Sequence, residues 1–308
     1  MADHFKFDFM GKRKLALVLS ALLIIISIGS LIARGLVLGI DFTGGTLVEI
    51  GYPESIDPQT VRSQLVAGGF DDASVQHFGS SKDILIRLPS KEGRVSAELS
   101  TRIMNVVKTS EGAAELRRIE FVGPQVGEEL RENGGLAMLY AIFGILLYVA
   151  WRFEYRFSLG AVAALVHDVI ITLGFFSVFG LEFDLSVLAA ILAVIGYSLN
   201  DTIVVFDRIR ENFRRMRKGE PVEVMNVSLN QTLTRTIITS LTTLLVLIAL
   251  VLMGGEIIHN FAIALIVGVL IGTYSSIYVA SPVVLALGVS KEDLMPPERE
   301  GDDFEEWV

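Results

Sequence analysis

Long apolar stretches separated by short polar segments dominate the pattern of this chain. Six of them are long enough to cross a hydrocarbon core of about 30 Å at about 1.5 Å of helix rise per residue. They run from Leu15 to Ala33, Gly134 to Trp151, Leu159 to Phe179, Leu185 to Phe206, Thr236 to Met253 and Phe261 to Leu287. The pattern therefore predicts six transmembrane helices.

Between the first and second spans, charged residues occur throughout, and the hydrophobic period alternates between that of strands and that of helices. The predicted elements are strand Thr46 to Tyr52, helix Pro58 to Ala67, strands Ala73 to Phe78 and Asp83 to Leu88, helix Val95 to Thr109, and strand Leu116 to Val122. This βαββαβ order is typical of the ferredoxin-like split β-α-β arrangement. The predicted fold is a membrane all-α bundle of six transmembrane helices plus one α+β ferredoxin-like domain.

Five segments follow from this pattern. They are an N-terminal segment (1–14), a first transmembrane helix (15–35), the folded domain (36–133), transmembrane helices two to six (134–287) and an acidic tail (288–308). Lys12, Arg13 and Lys14 before the first span also resemble the start of a signal peptide. However, the apolar run is longer than the usual core of about 7–15 residues, and no small-x-small cleavage site follows it. An uncleaved first helix is expected.

Composition supports a membrane protein, because 52% hydrophobic residues and a mean hydropathy of +0.56 are too apolar for a soluble globule. The net charge of −9 does not point to nucleic acid, and eight acidic residues lie between Glu292 and Glu306 in the predicted tail. The chain has no cysteine, which excludes disulfides and thiolate ligands. It also contains no phosphate loop, nucleotide fingerprint or nucleophile with its base, so neither an enzyme nor a cofactor is expected. Gly44 and Gly45 lack the spacing of a dinucleotide loop and are interpreted as a flexible entry to the first strand.

The basic residues of the short loops predict the orientation, because Lys and Arg accumulate on the cytoplasmic face. Arg152 and Arg156 lie in one loop, and Arg208, Arg210, Arg214, Arg215, Arg217 and Lys218 lie in another. The opposite loops, around 181–184 and 254–260, contain no Lys or Arg. Both termini are therefore expected in the cytoplasm and residues 36–133 outside it, in the periplasm.

Ionisable residues inside the predicted spans are candidates for function, since an Asp within a transmembrane helix costs roughly 2.5–3.5 kcal/mol on insertion scales. Asp201 lies within the fourth span, in the stretch GYSLNDTIVVFDRIREN from Gly196. Asp168 lies near the middle of the third span, with His167 and Thr172 as nearby partners. Proton relay and helix packing are both open for Asp168, and a structural hydrogen-bonding role remains the alternative for Asp201.

A polar stripe points to a partner for Asp201. Its members recur at spacings of three and four: Ser228, Gln231, Thr232, Arg235, Thr239 and Thr242. Lipid does not favour such a face, so it is expected to turn inward, where Arg235 meets Asp201 as an ion pair or across water. A second stripe of Gly268, Gly272, Ser276 and Ala280 permits close helix packing.

Five stretches resemble the SecD–SecF family, the auxiliary complex of the bacterial Sec protein-export machinery, and in particular its smaller member. They are GIDFTGGT from Gly39, VGPQVGEEL from Val122, GYSLNDTIVVFDRIREN from Gly196, NVSLNQTLTRTIITSLTT from Asn226 and IGTYSSIYVASP from Ile271. The resemblance implies half of a resistance-nodulation-division transporter, completed by SecD to a twelve-helix unit in the inner membrane lipid. It also implies work at the SecYEG channel on exported polypeptide, powered by the proton motive force, with YajC as a further partner.

The resemblance also implies a proton site. In the family it includes the Asp and Arg that correspond to Asp201 and Arg235, with Thr239 one turn beyond and a further Asp from SecD. The candidate proton-relay residues are Asp201, Arg235, Thr239, Asn200 and Asp168. Two alternatives remain: half of a proton-driven small-molecule or lipid exporter of the same superfamily, and a purely structural translocon subunit.

Overall fold

The computed structural model describes residues 7–89, 96–108, 114–216, 219–255 and 258–289. The helices are α1 (Arg13–Ala33), α2 (Ile40–Thr43), α3 (Pro58–Ala67), α4 (Ser96–Lys108), α5 (Pro124–Arg152), α6 (Tyr155–Phe179), α7 (Leu185–Arg215), α8 (Pro221–Met253), α9 (His259–Ser275) and α10 (Ser281–Ala286). The strands are β1 (Val37–Leu38), β2 (Gly45–Gly51), β3 (Ser74–Phe78), β4 (Ser80–Leu88), β5 (Glu115–Val122) and β6 (Glu182–Phe183). Most of the predicted tail lies outside the described residues.

Six helical segments in the described part of the chain are long and apolar enough to cross a membrane: α1, α5, α6, α7, α8 and the continuous run from α9 to α10. They correspond to the six predicted spans, but several continue well beyond the apolar residues. Helix α7 continues past Phe206 to Arg215, and α8 begins at Pro221 rather than at Thr236. Hydropathy detects only the apolar part of a helix, so it does not predict the polar ends of α7 and α8. Pro at the first helical position can begin α8, because the N–H of that residue has no partner within the helix.

The last span is interrupted, although the pattern predicts one uniform helix from Phe261 to Leu287. Helix α9 ends at Ser275, a π-helical turn covers Ser276–Ala280, and α10 begins at Ser281. Pro282 explains the wider turn, because proline has no N–H to donate and its ring clashes with the carbonyl four residues earlier. The interruption places Ser276 at the start of the π turn, facing the centre of the bundle.

The segment between α1 and α5 folds as a four-stranded antiparallel sheet in the order β3-β4-β2-β5. Val48 and Ile50 of β2 alternate towards one face, where they form a core with residues of α3 and α4. Leu47, the residue before Val48, points to the other face and packs with Ile40 of α2. Both faces of β2 are therefore covered, which accounts for its nearly continuous apolar sequence.

Gly44, directly before β2, forms a tight contact with the start of α5, so the interpretation of this stretch as a flexible entry is wrong. Gly44 has a φ of 66°, and a Cβ there would lie 2.8 Å from Pro124 Cα. A Cβ on Gly127 would lie 2.7 Å from the backbone nitrogen of Gly44. Side chains would separate the two segments, so glycine is required on both sides of the contact.

The four-stranded sheet with α3 and α4 is called the sheet unit here. Two short strands that the pattern did not predict join it to the transmembrane bundle. Strand β1 follows α1 and pairs in parallel with β6, which lies between α6 and α7. Arg87 of β4 forms an ion pair with Glu182 of β6. Burial raises the pKa of Glu182 above its usual value, and the guanidinium of Arg87 opposes that shift. The ion pair therefore favours the charged carboxylate at a site where burial disfavours it.

Helices α7 and α9 approach each other closely along the predicted small-residue stripe. A Cβ on Gly268 would lie 2.0 Å from Val194 Cγ2, and one on Gly272 would lie 3.0 Å from Ser198 Cβ. Glycine at these positions lets the two backbones come near enough for short side chains to meet across the interface.

We expect Gly268→Ala to destabilise the chain, because α7 and α9 must separate to admit the methyl group. Overpacking of this kind costs about 1–3 kcal/mol, and it is measured as a lower midpoint of thermal unfolding in detergent. Gly144→Ala in α5 is the matched control, since no heavy atom lies within 4 Å of a Cβ there. Equal midpoints for the two variants would contradict the close contact.

Candidate functional site

Asp201 lies on α7 and is only 8% exposed. The hydroxyl of Thr236 on α8 donates to its Oδ1 at 2.7 Å, and the hydroxyl of Ser276 in the π turn donates to its Oδ2 at 2.8 Å. Each carboxylate oxygen thus has a donor from a different helical segment. Asp201 is the point at which α7, α8 and the last span meet through polar side chains.

A line of hydroxyl groups continues from this carboxylate between the same helices. Ser240, one turn beyond Thr236 on α8, is 2.7 Å from the hydroxyl of Thr273 on α9. The phenol of Tyr197, one turn before Asp201 on α7, donates to Ser240 at 3.2 Å. Since the Cβ atoms of residues four apart lie on one helical face, these contacts form a polar seam about two turns long.

Arg235 does not form a direct ion pair with Asp201, and the predicted alternative of a contact across water stays a prediction. Both residues are described, yet no contact within 4.0 Å joins their charged atoms, and Arg235 is exposed. Its neighbour Thr236 is the residue that reaches the carboxylate. Successive residues of an α-helix differ by about 100° around the axis, so only one of the two can face α7.

The predicted polar stripe on α8 is therefore divided between two faces. The buried face contains Ser228, Thr232, Thr236 and Ser240. Arg235, Thr239 and Thr242 lie on an exposed face. The prediction of one inward face was wrong because it combined spacings of three and four. The unbroken spacing of four among the small hydroxyl residues is the signal that identifies Thr236 and Ser240.

The side chain of Asn200 is exposed and does not join the group around Asp201. It precedes the carboxylate in the chain and therefore points about 100° away from it. Ser276, which does contact the carboxylate, was interpreted from the sequence only as a packing residue. The structure thus separates the candidate residues into one that is central, Asp201, and three that lie outside its immediate contacts: Arg235, Thr239 and Asn200.

Asp168 on α6 forms a second buried carboxylate and is 1% exposed. Ser198 of α7 and Ser275 of α9 donate to its Oδ2 at 2.5 and 2.7 Å. The Nδ1 of His167 lies 2.8 Å from its Oδ1. The predicted contact with His167 is present, whereas Thr172 donates to the backbone carbonyl of Asp168 instead of the carboxylate.

A chain of polar contacts extends from Asp168 to the first helix. The Nε2 of His167 lies 3.2 Å from the hydroxyl of Ser20 on α1, and Ser20 lies 3.1 Å from the phenol oxygen of Tyr274. The phenol of Tyr274 in turn donates to the carbonyl of Ala16 at 2.7 Å. Polar contacts therefore connect α1, α6, α7 and α9 through the interior of the bundle.

The two carboxylates share structural elements, although no direct contact joins them. Tyr197 and Ser198 are consecutive on α7, and they contact the Asp201 seam and Asp168 respectively. Ser275 donates to Asp168, and the next residue, Ser276, donates to Asp201. A change in the charge of one carboxylate that moved α7 or the last span would therefore alter the donors of the other.

We expect Asp168→Ala to lower the stability of the chain, because it removes the acceptor of two serine hydroxyls and the partner of His167. An unsatisfied buried group costs roughly 1–3 kcal/mol, and the thermal unfolding midpoint in detergent measures the loss. Asn200→Ala removes an exposed polar side chain from α7 and is expected to leave the midpoint unchanged. Similar midpoints for both variants would show that the Asp168 network adds no stability.

Two family models match the chain. Residues 102–290 match the C-terminal part of the protein export membrane proteins SecD and SecF. Residues 29–52 match the SecD/SecF GG motif, a range that includes Gly44 and Gly45. The first of these models covers more than half of the chain.

Proteins with similar sequences occur in several bacteria. The protein translocase subunit SecF of Vibrio alginolyticus is 54% identical over 301 residues, which cover 97% of this chain and 96% of that protein. The protein translocase subunit SecF of Pseudomonas aeruginosa is 52% identical and covers 94% of each chain. Relatives therefore match along nearly their whole length.

Solved structures of SecDF are similar as well. The crystal structure of SecDF, a translocon-associated membrane protein, from Thermus thermophilus matches 93% of this chain at 40% identity with a TM-score of 0.84. SecDF in a super-membrane-facing form matches 92% at 40% identity with a TM-score of 0.68. This chain spans only 39% of each of those longer chains.

The six apolar helices agree with these comparisons. A family model matches more than half of the sequence, the relatives match over nearly their full length at more than 50% identity, and SecDF has the same fold. The chain belongs to the SecF family of protein translocase subunits, which makes it a multi-pass helical membrane protein.

Proposed function

We propose that this protein is an auxiliary subunit of the Sec translocon that acts with SecD and uses the proton motive force to promote polypeptide export. The observation that carries the proposal is the position of Asp201, a carboxylate buried where three helical segments meet. It is held by two hydroxyl donors, with no cation within 4.0 Å in the described part of the chain. Such a carboxylate can change its charge without breaking an ion pair. Neither an enzymatic step nor a cofactor is required.

SecD is the partner that the proposal requires, and the bundle would then be half of a resistance-nodulation-division-type transporter. This chain matches 39% of a SecDF chain, which leaves most of that chain to other segments. The exposed side of α8 carries Ile237, Ile238, Leu241 and Leu245 beside Arg235 and Thr239. We place SecD against this face, where its own Asp would approach Arg235. SecYEG and YajC are further proposed partners.

The proposal places both termini in the cytoplasm of a bacterium and the sheet unit in the periplasm, around the inner membrane. The distribution of Lys and Arg in the short loops supports this orientation. The sheet unit is interpreted as a ferredoxin-like domain, which its βαββαβ element order and its strand order β3-β4-β2-β5 support. On the periplasmic side it would meet the exported polypeptide.

In the proposed mechanism, Asp201 alternates between a charged and a protonated state. The charged state accepts hydrogen bonds from Thr236 and Ser276, and protonation weakens both, so α8 and the last span repack against α7. One charge that crosses 100 mV releases about 2.3 kcal/mol, whereas a swing from 1:99 to 99:1 needs about 5.5 kcal/mol. One proton therefore biases the two arrangements, and a pH gradient or a second proton completes the change.

Two other functions are distinguished by experiment. A proton-driven exporter of small molecules or lipids would show substrate efflux and would not co-purify with SecYEG. A purely structural subunit would use Asp201 only to hold helices together. In that case, vesicles that contain this chain and SecD would show no proton flux that depends on Asp201.

We expect Asp201→Asn to abolish the proton-driven part of export, because the amide keeps the shape of the side chain but carries no charge at any pH. The measurement is preprotein export into vesicles that contain SecYEG, SecD and this chain, with and without an imposed proton gradient. Glu223→Gln removes an exposed carboxylate from the first turn of α8 and is the matched control. Unchanged export with Asp201→Asn, at normal expression and SecD pairing, would refute the mechanism.

We expect Thr236→Val to impair proton-driven export more than Thr239→Val. Thr236 donates to Asp201 at 2.7 Å, whereas the side chain of Thr239 is exposed in this chain. A hydrogen bond to a charged group contributes about 1.5–3 kcal/mol, so the loss from Thr236→Val is expected to be roughly tenfold or more. A larger loss from Thr239→Val would place the essential hydroxyl on the Arg235 face, towards SecD.

A further inference from the structure

A cleft rich in arginine lies where the turn between α5 and α6 meets the charged end of α7. Its volume is about 550 Å³, and it is lined by Arg152, Asp207, Arg210, Glu211, Arg214 and Arg215. We call it the arginine cleft. Four arginines and two acidic residues line the cleft, so its lining carries more positive than negative charge.

Two of these guanidiniums are held in place by an aromatic ring. The Cζ atoms of Arg152 and Arg210 lie 5.0 and 5.5 Å from the centroid of the Phe153 ring, within the range of cation–π contacts. Phe153 itself packs edge-on against Phe206, with ring centroids 6.0 Å apart. The arginine heads are therefore positioned before any ligand arrives, which reduces the entropy lost on binding.

Asp207 uses only part of the donor capacity of these arginines. The Nη2 of Arg152 donates to both Asp207 oxygens at 3.0 and 3.2 Å, and Arg210 Nη1 lies 3.6 Å from Oδ1. The Nε of Arg210 is buried and has no hydrogen-bond partner among the described residues. Each guanidinium carries five N–H donors, so donors remain available for an added anion.

Two exposed aromatic residues close to Arg152 in the chain indicate that the cleft lies near the boundary between lipid and water. Trp151 is 88% exposed at the end of α5, and Tyr155 is 63% exposed at the start of α6. Exposed Trp and Tyr at the ends of apolar spans are typical of the headgroup level of a membrane. A lipid headgroup is the anion expected at this depth, because the exposed apolar residues of α5 and α6 would face its acyl chains.

We propose that the arginine cleft binds the phosphate of an anionic phospholipid headgroup. Guanidinium groups match phosphate oxygens in geometry and bind them with paired hydrogen bonds. The acyl chains lie along the outer surface of α5 beside Trp151. Asp207 competes with the phosphate for Arg152 and Arg210, and it thereby limits the affinity of the cleft.

The exposed tryptophan provides a direct test. The sequence contains two tryptophans, so Trp307→Phe leaves Trp151 as the only one. This variant of the full chain is reconstituted into phosphatidylcholine vesicles with a minor fraction of phosphatidylglycerol, and one lipid at a time carries brominated acyl chains that quench tryptophan. We expect roughly tenfold more quenching per molecule by brominated phosphatidylglycerol than by brominated phosphatidylcholine, since the cleft has a net positive charge near the membrane surface.

Two substitutions in this background should act in opposite directions. Arg210→Gln removes a positioned guanidinium and is expected to bring the two lipids close to equal quenching. Asp207→Asn frees Arg152 and Arg210 and is expected to increase the preference for phosphatidylglycerol. A folding defect cannot produce the increase, so the pair distinguishes binding from loss of structure. Arg62→Gln in the sheet unit changes the net charge equally and should leave the preference unaltered.

Several outcomes would overturn the proposal. The first is equal quenching by both brominated lipids in the parent variant, and the second is an Asp207→Asn variant with no gain. The third is loss of the preference when inorganic phosphate is added at constant ionic strength, because that result would identify a site for free anions. Retention of the preference in phosphate supports the lipid headgroup.

Discussion

The close packing of α7 against α9 is the contact on which the interior of this bundle depends. A carboxylate in hydrocarbon must receive its hydrogen bonds from the protein, since lipid supplies none. Serine is a short donor and reaches a carboxylate on a neighbouring helix only when the two backbones are near. Gly268 against Val194 and Gly272 against Ser198 create that approach, which brings Ser275 and Ser276 to Asp168 and Asp201.

The interruption in the last span lies beside this packing. Pro282 removes a backbone donor, and the π turn from Ser276 to Ala280 replaces regular helical bonds over that stretch. Single π turns inside α-helices occur frequently at functional sites. Since Ser276 lies in this turn and also contacts Asp201, the carboxylate is linked to the least regular part of the bundle.

The sheet unit is connected to the bundle through backbone pairing and through charge. Helix α5 runs without a break from Pro124 to Arg152, and the glycine contact fixes its start against β2. Strand β6 lies directly before α7. It pairs with β1, and its Glu182 forms the ion pair with Arg87. A displacement of α7 caused by a change at Asp201 would therefore reach the sheet unit through β6.

The pattern of the sequence by itself determined the number of apolar spans, the order of strands and helices in the sheet unit, and Asp201 and Asp168 as the buried carboxylates. These features depend on local periodicity and on the cost of charge in lipid, and both can be derived from a sequence. Apart from the contact of His167 with Asp168, only the tertiary structure decided which side chains meet the carboxylates. Arg235 and Thr236 are neighbours in the chain, yet the rotation of α8 about its axis turns Thr236 towards Asp201 and leaves Arg235 outside. That rotation, the pairing of β1 with β6 and the π turn result from packing between distant segments, which local periodicity does not encode.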